Sequence, residues 1–395
     1  MGATSSILTI NGGSSTLRFA SFEADEPPRL LLRGKIDRIG LENPRMTVNR
    51  PDGTQEGRGL SGANHAAALA YLLTWMDSEP AFSAVRAVAH RVVHGMAHSR
   101  PELVTRELLA DLRSMMAFDP EHLPFEIDLI AAIAQRHPAL PQVACFDTAF
   151  HRTMPQIARR LPIPRHFHAL GIERYGFHGI SCAYLMQELA QLGDPAARRG
   201  LAILAHLGNG ASLTAVRDGR SIDTSMGFTP ASGTMMSTRS GDLDPGLSHY
   251  LAQTQQMGTA SFQRMVNHAS GLLGVSETSS DMRELIALEK TDERAAEAIA
   301  LYCYHAKKWI GAFAAALGGV DTLVFAGGIG ENAPVIRERI CAGLEFLGIG
   351  LDAARNAESA ALISADSARV RVRIIRTDEE LMLARSALPF CPRLE

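Results

Sequence analysis

The segment ILTINGGSSTLRFASFE, Ile7 to Glu23, joins an apolar run to an alternating run through two glycines and three hydroxyl residues. Such runs on either side of a glycine turn predict an antiparallel hairpin. A hairpin needs the glycines, but it does not need the hydroxyls of Ser14, Ser15 and Thr16 or the cation of Arg18. Because the N–H groups of a glycine turn can converge on an anion, the segment predicts a phosphate site; a plain hairpin is the alternative.

The composition describes an ordinary globular chain. With 395 residues it is long enough for two domains, and 46% hydrophobic and 21% charged residues are typical values. A net charge of -3 gives no reason to expect a nucleic-acid partner. Five cysteines without a CxxC pair favour reduced intracellular thiols. The apolar run 66–76 is too short to span a membrane and we expect no signal peptide, so we predict a cytoplasmic protein.

Strand-like and helix-like segments alternate along the chain, which is typical of the α/β class. The helical patterns cover Thr105–Ala117, Pro124–Arg136, Ala183–Leu192 and Asp292–Leu317. A turn-rich stretch covers 49–64, and a proline-rich stretch, 154–164, follows the strand-like run Gln142–Phe146. This proline-rich stretch is the best candidate for a domain boundary.

The second half of the chain repeats the opening feature in kind. The stretch HLGNGASL, His206 to Leu213, joins the strand-like runs Leu201–Ala205 and Leu213–Val216 through small residues, Asn and Ser. Asp218-Gly219 then predicts a hairpin turn. Two such turns, one in each half, indicate two related domains that face one ligand.

A third glycine-rich segment, GGIGENAP, follows the predicted strand Thr322–Ala326 and precedes a predicted helix, Val335–Leu347. Asn332 suits its N-cap and Pro334 its first turn. The segment fits the dinucleotide fingerprint, but it comes late in the chain, and Glu345 falls inside the helix rather than after the next strand. We interpret it as a nucleotide-contacting loop other than an NAD loop; a simple glycine-rich helix start is the alternative.

Polar residues also end several short segments, where α/β proteins build their sites. These segments are HRVVHG (90–95), FDTAFH (146–151), YGFHG (175–179) and TRSGDLDP (238–245). His90, His94 and His98 have helical metal-ligand spacing, but the β-branched pair and the glycine between them argue against a helix and a zinc site. Near the C-terminus, Asp378-Glu379-Glu380 follows the predicted strand Val370–Ile375. These acids predict either a solvated helix start capped by Thr377 or a magnesium site.

Taken together, the segments resemble one family, the acetate kinases, within the superfamily of sugar kinases, Hsp70 and actin. The resemblance covers nearly the whole chain. Its carriers are, in order, INGGSSTLR, HRVVHG, FDTAFH, YGFHGIS, HLGNGAS, DTSMGFTP, MMSTRSGDLDP, SGLLGVSETSSDMR, GGIGENAP and TDEEL. It implies two actin-like, ribonuclease H-like domains related by duplication, with an interdomain active-site cleft. The first would cover 1–150 and be completed by about 381–395, and the second, nucleotide-binding domain would cover 151–380.

The resemblance implies reversible phosphoryl transfer between ATP and acetate, giving acetyl phosphate and ADP, with Mg²⁺ or Mn²⁺ and in a homodimer. The implied metal residues are Asn11 and Glu379, and the implied catalytic residues are Arg91, Asp147, His178 and Arg239. The implied substrate-binding residues are Arg91, Val93, Phe177 and Pro230. The implied nucleotide-binding residues are Ser14, Thr16, Arg18, His206, Leu207, Gly208, Asn209, Gly210, Asp281, Met282, Arg283, Gly328, Ile329, Gly330, Glu331 and Asn332.

Elementary chemistry refines the role of Asp147. A carboxylic acid with a pKa near that of a glutamate side chain is ionised at neutral pH, so it needs no general base to attack phosphorus. The main cost is to bring an anion to a polyanion, which arginines, a metal ion and a histidine donor reduce by positioning and charge stabilisation. We therefore expect Asp147 to orient a magnesium-bound water or an arginine.

The sequence departs from the usual family pattern at four positions. Gly12 replaces an alanine, Arg18 a lysine and Cys182 a histidine. Within Asp119–Pro124, Glu121 occupies the position of a leucine that would line the acyl pocket. Since a carboxylate beside a methyl group is costly unless it is paired or turned outward, propionate is an alternative substrate.

Two other classes of protein remain as alternatives. An Hsp70-like or actin-like protein would bind ATP without transferring phosphate to a small acid. A dehydrogenase would bind NAD. The four implied catalytic residues favour the acyl kinase, because their roles require a small phosphoryl acceptor.

Overall fold

The computed structural model describes residues 5–13, 16–60, 62 and 64–392. These residues form two compact units, which lie within Met1–Ala149 together with Asp378–Glu395, and within Phe150–Thr377. Each unit is built around its own β-sheet. The predicted α/β class is therefore confirmed.

The elements are numbered along the chain. The strands are β1 (Ser6–Gly12), β2 (Leu17–Glu23), β3 (Leu30–Asp37), β4 (Arg45–Asn49), β5 (Gln55–Gly59), β6 (Val85–Val92), β7 (Glu102–Leu103), β8 (Gln142–Phe146), β9 (Leu201–Leu207), β10 (Ala211–Arg217), β11 (Arg220–Thr224), β12 (Thr322–Ala326) and β13 (Arg371–Ile374). The helices are α1 (His65–Ser78), α2 (Arg106–Ser114), α3 (Leu123–Arg136), α4 (Gln156–Arg159), α5 (Arg165–Ala169), α6 (Gly179–Gln191), α7 (Gly246–Gln255), α8 (Thr259–His268), α9 (Gly271–Ser276), α10 (Met282–Leu288), α11 (Glu293–Leu317), α12 (Gly327–Asn332), α13 (Pro334–Cys341), α14 (Ala353–Ala357) and α15 (Glu379–Ala387).

The same strand arrangement occurs in both units. In the eight-stranded sheet of the first unit, β3-β2-β1-β6-β8 are neighbours, and in the second unit the five-stranded sheet has the order β11-β10-β9-β12-β13. In each of these five-strand orders, the first three strands pair antiparallel with one another. The fourth strand pairs in parallel with the central strand, and the fifth pairs in parallel with the fourth. Independent origins would not be expected to repeat both order and direction, so the topology supports a duplication.

The two predicted glycine hairpins occupy the same place in their sheets. The Gly13 N–H donates to the Thr16 carbonyl at 2.7 Å where β1 turns into β2. The Gly208 N–H donates to the Gly210 carbonyl at 3.1 Å where β9 turns into β10. Both hairpins are confirmed. So is the turn between β10 and β11, where Asp218 and Gly219 take the left-handed φ values of 51° and 79° that a two-residue hairpin requires.

The core of the first unit explains why β1 reads as a nearly continuous apolar run. Leu8 and Ile10 pack against side chains of α1 and α3 in one cluster. On the other face, Ala20 and Phe22 of β2 pack against Ala384 of α15. A strand in the middle of a sheet that is covered on both faces has no solvent side, so its sequence does not alternate.

The long helix α11 anchors the second unit. Asp292 caps its start by accepting from the Arg294 N–H at 3.0 Å, and Gly318 ends it with a left-handed φ of 76°. Buried residues recur along one face, including Tyr302, Ile310 and Phe313. The prediction of a helix over Asp292–Leu317 is confirmed because capping, periodicity and a C-terminal glycine all agree.

Two segments of the chain differ in secondary structure from the sequence-based expectation. The turn-rich stretch 49–64 contains β5, whose sequence QEGRG has no apolar alternation and forms by pairing with β4. The helix expected at Val335–Leu347 starts with Pro334, as predicted, but ends at Cys341, and Gly343 follows with a left-handed φ of 81°. No helix of the described residues is both long and apolar enough to cross a lipid bilayer.

Candidate functional site

The first group of candidate residues is the arginine cluster, formed by Arg91, Asp147 and Glu126. Arg91 lies near the carboxyl end of β6; its Nη2 donates to Asp147 Oδ2 at 2.9 Å and its Nη1 to Glu126 Oε1 at 3.3 Å. The same Nη1 lies 3.5 Å from the Gly12 carbonyl oxygen. The parallel strands β1, β6 and β8 all end at this edge, which is where open α/β sheets place their ligands.

Burial makes the charges of the arginine cluster strongly dependent on one another. The Asp147 side chain is 0% exposed, that of Glu126 2% and that of Arg91 15%. Burial disfavours the cation of Arg91, but Asp147 and Glu126 outweigh burial and raise its pKa. Burial also raises the pKa of Glu126 to about 7, although Arg91 and the Val93 N–H oppose that shift. Glu126 therefore titrates near neutral pH.

Sequence reasoning did not identify Glu126. The signal was present, because Glu126 lies on the buried face of α3 with Leu123, Ile127 and Ile130. A carboxylate on such a face is rare unless it has partners. Here the partners are Arg91 and the Val93 N–H, which donates to Oε2 at 2.8 Å.

Asn11 and Glu379, the two residues that the resemblance implies at a metal, are in contact. Asn11 ends β1, Glu379 begins α15, and the Asn11 Nδ2 donates to Glu379 Oε2 at 2.9 Å. The cap of α15 is Asp378, which accepts from the Leu381 N–H at 2.9 Å, so the expectation that Thr377 caps this helix is wrong. Glu380 is buried, so the acidic segment is not simply a solvated helix start.

These residues fit a hydrated magnesium ion. Mg²⁺ prefers oxygen ligands and keeps several waters, so one amide and one carboxylate suffice as protein ligands. Among the described residues, no group of three or more His, Cys, Asp or Glu side chains could hold a metal by itself. The buried Oε1 of Glu380 has no hydrogen-bond partner among the residues that the structure describes, and burial together with neighbouring Glu379 raises the pKa of Glu380. A nearby cation would compensate this excess of carboxylates.

The predicted phosphate residues of the first hairpin are only partly described. Arg18 lies directly opposite Asn11 in the β1–β2 pair and is exposed. Thr16 is half-buried and closes the turn through its carbonyl. Ser14, and Ser15 beside it, lie outside the described residues.

In the second unit the histidine cluster is formed by His178, Ser212, His206 and Ser181. His178 precedes α6 with a left-handed φ of 58°, and its Nδ1 is 2.9 Å from Ser212 Oγ. Its ring stacks on His206 with a centroid distance of 4.3 Å. His206 Nδ1 in turn lies 2.8 Å from Ser181 Oγ. A non-glycine residue in the left-handed region is strained, and such strain concentrates at functional sites.

The second glycine turn brings His178 and Arg239 to one point. A Cβ atom on Gly210 would lie 3.2 Å from His178 Nε2 and 3.5 Å from Arg239 Nη1. The same Nη1 donates to the Pro230 carbonyl at 3.3 Å. The absence of a side chain at Gly210 thus leaves room for two potential donors beside a turn of backbone N–H groups.

The third glycine segment lies against this turn. It forms α12 rather than an irregular loop, directly after β12, which pairs in parallel with β9. A Cβ on Gly327, whose φ is 76°, would lie only 2.7 Å from the Leu207 carbonyl oxygen, and one on Gly208 would lie 3.7 Å from the Gly328 nitrogen. The predicted nucleotide segments Leu207–Gly210 and Gly328–Asn332, including Asn209 and Ile329, are therefore neighbours.

Side chains of the loop itself hold α12 in shape. Glu331 Oε1 accepts from the N–H groups of Gly327 at 2.9 Å and Thr377 at 3.1 Å. Asn332 Nδ2 donates to the Gly328 carbonyl at 2.9 Å. Asn332 is thus the last residue of α12, and the expectation that it caps the following helix is wrong; Ala333 occupies that position.

Arg337 is a second residue that sequence reasoning missed. It is 0% exposed, and it donates to the carbonyls of Gly330 at 2.9 Å and Glu331 at 3.1 Å. Its other donors reach Asn356 and Ser359, and burial lowers its pKa to about 10. These hydrogen bonds to the carbonyls of α12 stabilise the helix. An arginine two turns after a glycine loop has no sequence pattern that would indicate such a role.

The predicted residues Asp281, Met282 and Arg283 begin α10. Asp281 Oδ1 accepts from the Arg283 N–H at 2.8 Å, and Met282 is buried. Within the described part of the chain, the hydrogen bonds of Asp281 and Arg283 stay inside residues 279–285. Hydrogen bonds therefore do not join these residues to the glycine turns.

The residues expected to line an acyl pocket belong to both units, and each unit is described by itself. Val93 is buried in the first unit, beside the arginine cluster. In the second unit, Phe177 is buried and its carbonyl lies 2.9 Å from His151 Nε2. Glu121 is exposed, and its N–H donates to Asp119 Oδ1 at 3.2 Å. An exposed carboxylate keeps its hydration, so the desolvation cost expected for Glu121 does not arise.

Comparisons with known proteins agree on one family. The sequence profile of the Acetokinase family matches residues 6–385. The chain is 42% identical over 386 residues to an acetate kinase of Rhodopseudomonas palustris, covering 96% of both chains. Its structure is similar to that of Porphyromonas gingivalis acetate kinase, with a TM-score of 0.88, 35% identity and coverage of 98% and 99% of the two chains. It is also similar to a propionate kinase from Francisella tularensis, with a TM-score of 0.91, 35% identity and coverage of 97% and 99%.

The family match spans nearly the whole chain, and each of the two solved structures is matched over 99% of its length. The resemblance inferred from the motifs is therefore confirmed. The chain belongs to the acetokinase family, whose members are kinases that transfer a phosphoryl group between ATP and a carboxylate.

Proposed function

We propose that this protein catalyses reversible phosphoryl transfer between ATP and acetate, giving acetyl phosphate and ADP. The observation that carries the proposal is the approach of His178 Nε2 and Arg239 Nη1 to the side-chain-free position of Gly210. Two donors beside a glycine turn form an environment that stabilises the charge of a transferring phosphoryl group.

In the proposed reaction Arg91 binds the acid. Acetate is already ionised at neutral pH, so its oxygen attacks phosphorus without losing a proton to the enzyme. The planar guanidinium of Arg91 suits a carboxylate because it can donate two parallel hydrogen bonds. The hydrogen bond from Arg91 to Asp147 supports the proposal that Asp147 orients this arginine rather than acting as a base.

His178 and Arg239 stabilise the phosphoryl group. The contact of His178 Nδ1 with Ser212 fixes the ring, so Nε2 is directed towards Gly210. Asn11 and Glu379 would hold Mg²⁺. When it is bound, this ion would neutralise negative charge on the phosphate groups. Mn²⁺ could occupy the same oxygen ligands.

The glycine segments bind the nucleotide in this proposal. Their members are Ser14, Thr16, Arg18, His206, Leu207, Gly208, Asn209, Gly210, Gly328, Ile329, Gly330, Glu331 and Asn332, with Asp281, Met282 and Arg283 as further contacts. The adjacency of Leu207–Gly210 and Gly328–Asn332 supports a shared role. Membership of the acetokinase family favours this reading over an Hsp70-like or actin-like ATP-binding protein and over a dehydrogenase.

Propionate is the alternative acid, because a propionate kinase is among the similar structures. The decisive experiment compares kcat/KM for acetate, propionate and butyrate with ATP and Mg²⁺, together with an assay without divalent metal. We expect acetate to give the highest kcat/KM and activity to require the metal. One additional methylene in an apolar pocket changes discrimination by about 10-fold to 200-fold, so the preference is measurable. A preference for butyrate would reject the acetate assignment, and acid-independent ADP formation would reject the acyl kinase.

The variant Gly210→Ala tests the observation that carries the proposal. A Cβ at this position must displace His178 by a few tenths of an ångström, while its distance to Arg239 is an ordinary van der Waals contact. Because small misplacements of catalytic groups are costly, we expect kcat to fall by about tenfold with little change in thermal stability. The matched control is Gly311→Ala in α11, where a Cβ would meet nothing within 4 Å and alanine favours the helix. Equal kcat values for both variants and the wild type would contradict the role of the Gly210 turn.

We also propose that the protein works as a cytoplasmic homodimer, as expected from the family resemblance. Sedimentation equilibrium would check the dimer, and a monomer at all concentrations that support activity would reject it.

A further inference from the structure

The arginine cluster contains more negative than positive charge. Asp147 and Glu126 both accept hydrogen bonds from Arg91, and neither carboxyl side chain is more than 2% exposed. Glu379 adds a further negative field at Arg91. If both cluster carboxyls are ionised, one buried cation faces two buried anions.

Acid binding at Arg91 would add a third carboxylate to this cluster. Buried like charges a few ångströms apart cannot all remain ionised without a large cost, and the usual response is protonation of one of them. We propose that Glu126 takes up one proton when the acid anion binds to Arg91. The neutral Glu126 keeps Arg91 in position, but its negative charge no longer competes with the substrate for the guanidinium. This inference rests on the proposed function, since it assumes that Arg91 binds the acid.

The geometry selects Glu126 as the proton acceptor. Its contact with Arg91, at 3.3 Å, is longer than the 2.9 Å contact between Arg91 and Asp147, so it is the weaker of the two. Its second oxygen, Oε2, is held by the Val93 N–H at 2.8 Å whether or not Oε1 carries a proton. Protonation therefore removes a charge from the cluster without removing the carboxyl group from its position.

The surroundings of Glu126 agree with this assignment. From β6 it faces Arg91, and from the segment before α3 it is influenced by His122 and Asp119, which form their own contact at 3.0 Å. Burial raises the pKa of Glu126 to about 7, whereas His122 is the leading electrostatic partner that holds the pKa of Asp119 below its usual value against burial. Of these two carboxyl groups, only Glu126 changes charge near neutral pH.

The proton balance gives a definite pH dependence. The acid anion enters from solvent as an ion, one proton moves from solvent to Glu126 Oε1, and no other bond forms or breaks. Below about pH 7 Glu126 already carries the proton, and KM for acetate is flat. Above that pH the proton must be taken up on binding, so KM rises by up to about tenfold per pH unit. Acetate itself is ionised throughout this range and adds no dependence.

The test compares wild type, Glu126→Gln and the control Asp128→Asn from about pH 6 to about pH 8.5, at saturating ATP and Mg²⁺. Glutamine imitates the protonated carboxyl, so we expect KM for acetate to be independent of pH in Glu126→Gln. Asp128 lies on the same helix but is exposed, so its variant should keep the wild-type rise. A rise in Glu126→Gln equal to that of the wild type would overturn the proposal.

A second measurement on the wild type does not depend on a folded variant. Calorimetry of acetate binding in the presence of ADP and Mg²⁺, in buffers of different ionisation enthalpy, counts the protons taken up. We expect about one proton per acetate near pH 8 and close to none near pH 6. Phosphorylation of acetate without proton uptake would reject the role of Glu126 and leave the proposed function intact. Absence of both acetate binding and phosphorylation would reject the proposed function.

Discussion

Arg239→Ala is expected to lower kcat by about 10³-fold or more, which is the effect of removing an arginine that stabilises a transferring phosphoryl group. Arg239 Nη1 lies 3.5 Å from the position where a Cβ of Gly210 would be, beside His178 Nε2. In the proposed mechanism its loss removes the positive charge that faces the transition state, while the glycine segments proposed to bind the nucleotide stay in place. We therefore expect KM for ATP to change much less than kcat.

The control for this variant is Arg264→Ala in α8. Arg264 is an exposed arginine of the same unit, and its Nη2 donates across one turn to Ser261 Oγ at 3.1 Å. Steady-state kinetics in both directions and a thermal unfolding curve would be measured for both variants. A folded Arg239→Ala protein with unchanged kcat would remove Arg239 from the proposed mechanism.

Arg91→Met is expected to impair both activity and stability. The substitution leaves Asp147 and Glu126 buried without their cation, and removal of one partner of a buried ion pair costs about 3–5 kcal/mol. The folded-state pKa of both carboxyls then rises, because the charge that favoured ionisation is gone. A carboxyl whose pKa is higher in the folded than in the unfolded protein stabilises the folded state in acid, and this contribution is lost as pH rises through the folded-state pKa. The stability deficit should therefore be largest above neutral pH and shrink in acid.

Urea unfolding at about pH 5 and about pH 8 would measure this dependence, and KM for acetate would report the loss of acid binding. The control is Arg86→Met on the same strand. Arg86 Nη1 donates to the carbonyls of Ser83 at 2.9 Å and Val85 at 3.2 Å, so its loss uncovers no buried carboxylate. Equal deficits for both variants at both pH values would show that the arginine cluster does not carry this energy.

Much of the fold could be predicted because local signals agreed with one another. The strands Gln142–Phe146 and Thr322–Ala326 occur with the predicted bounds, since short apolar runs between turn residues leave few alternatives. The two glycine hairpins were also readable from their turn residues. By contrast, β5 was missed because an edge strand of polar residues is stabilised by backbone pairing alone, and this leaves no apolar pattern.

The sequence indicated which residues to consider for the candidate site, but it indicated much less about which of them are in contact. Motifs pointed to Arg91, Asp147, His178 and Arg239, and the structure joins the first two directly and brings the other two to Gly210. The sequence predicted Thr377 as the cap of α15, but the structure shows Asp378 in that role, and this difference shows the limit of local rules. Both residues are good caps, and only the helix start, fixed by packing, decides between them.

The sequence by itself determined the family, the two-sheet class and the glycine turns, because these depend on residue types at short spacing along the chain. Only the tertiary structure decided which charges share one environment. Glu126 and Arg91 are 35 positions apart and lie on a helix and a strand, yet they meet in the same buried cluster. Desolvation then sets their charges, and desolvation depends on what surrounds a group in space rather than on its neighbours along the chain.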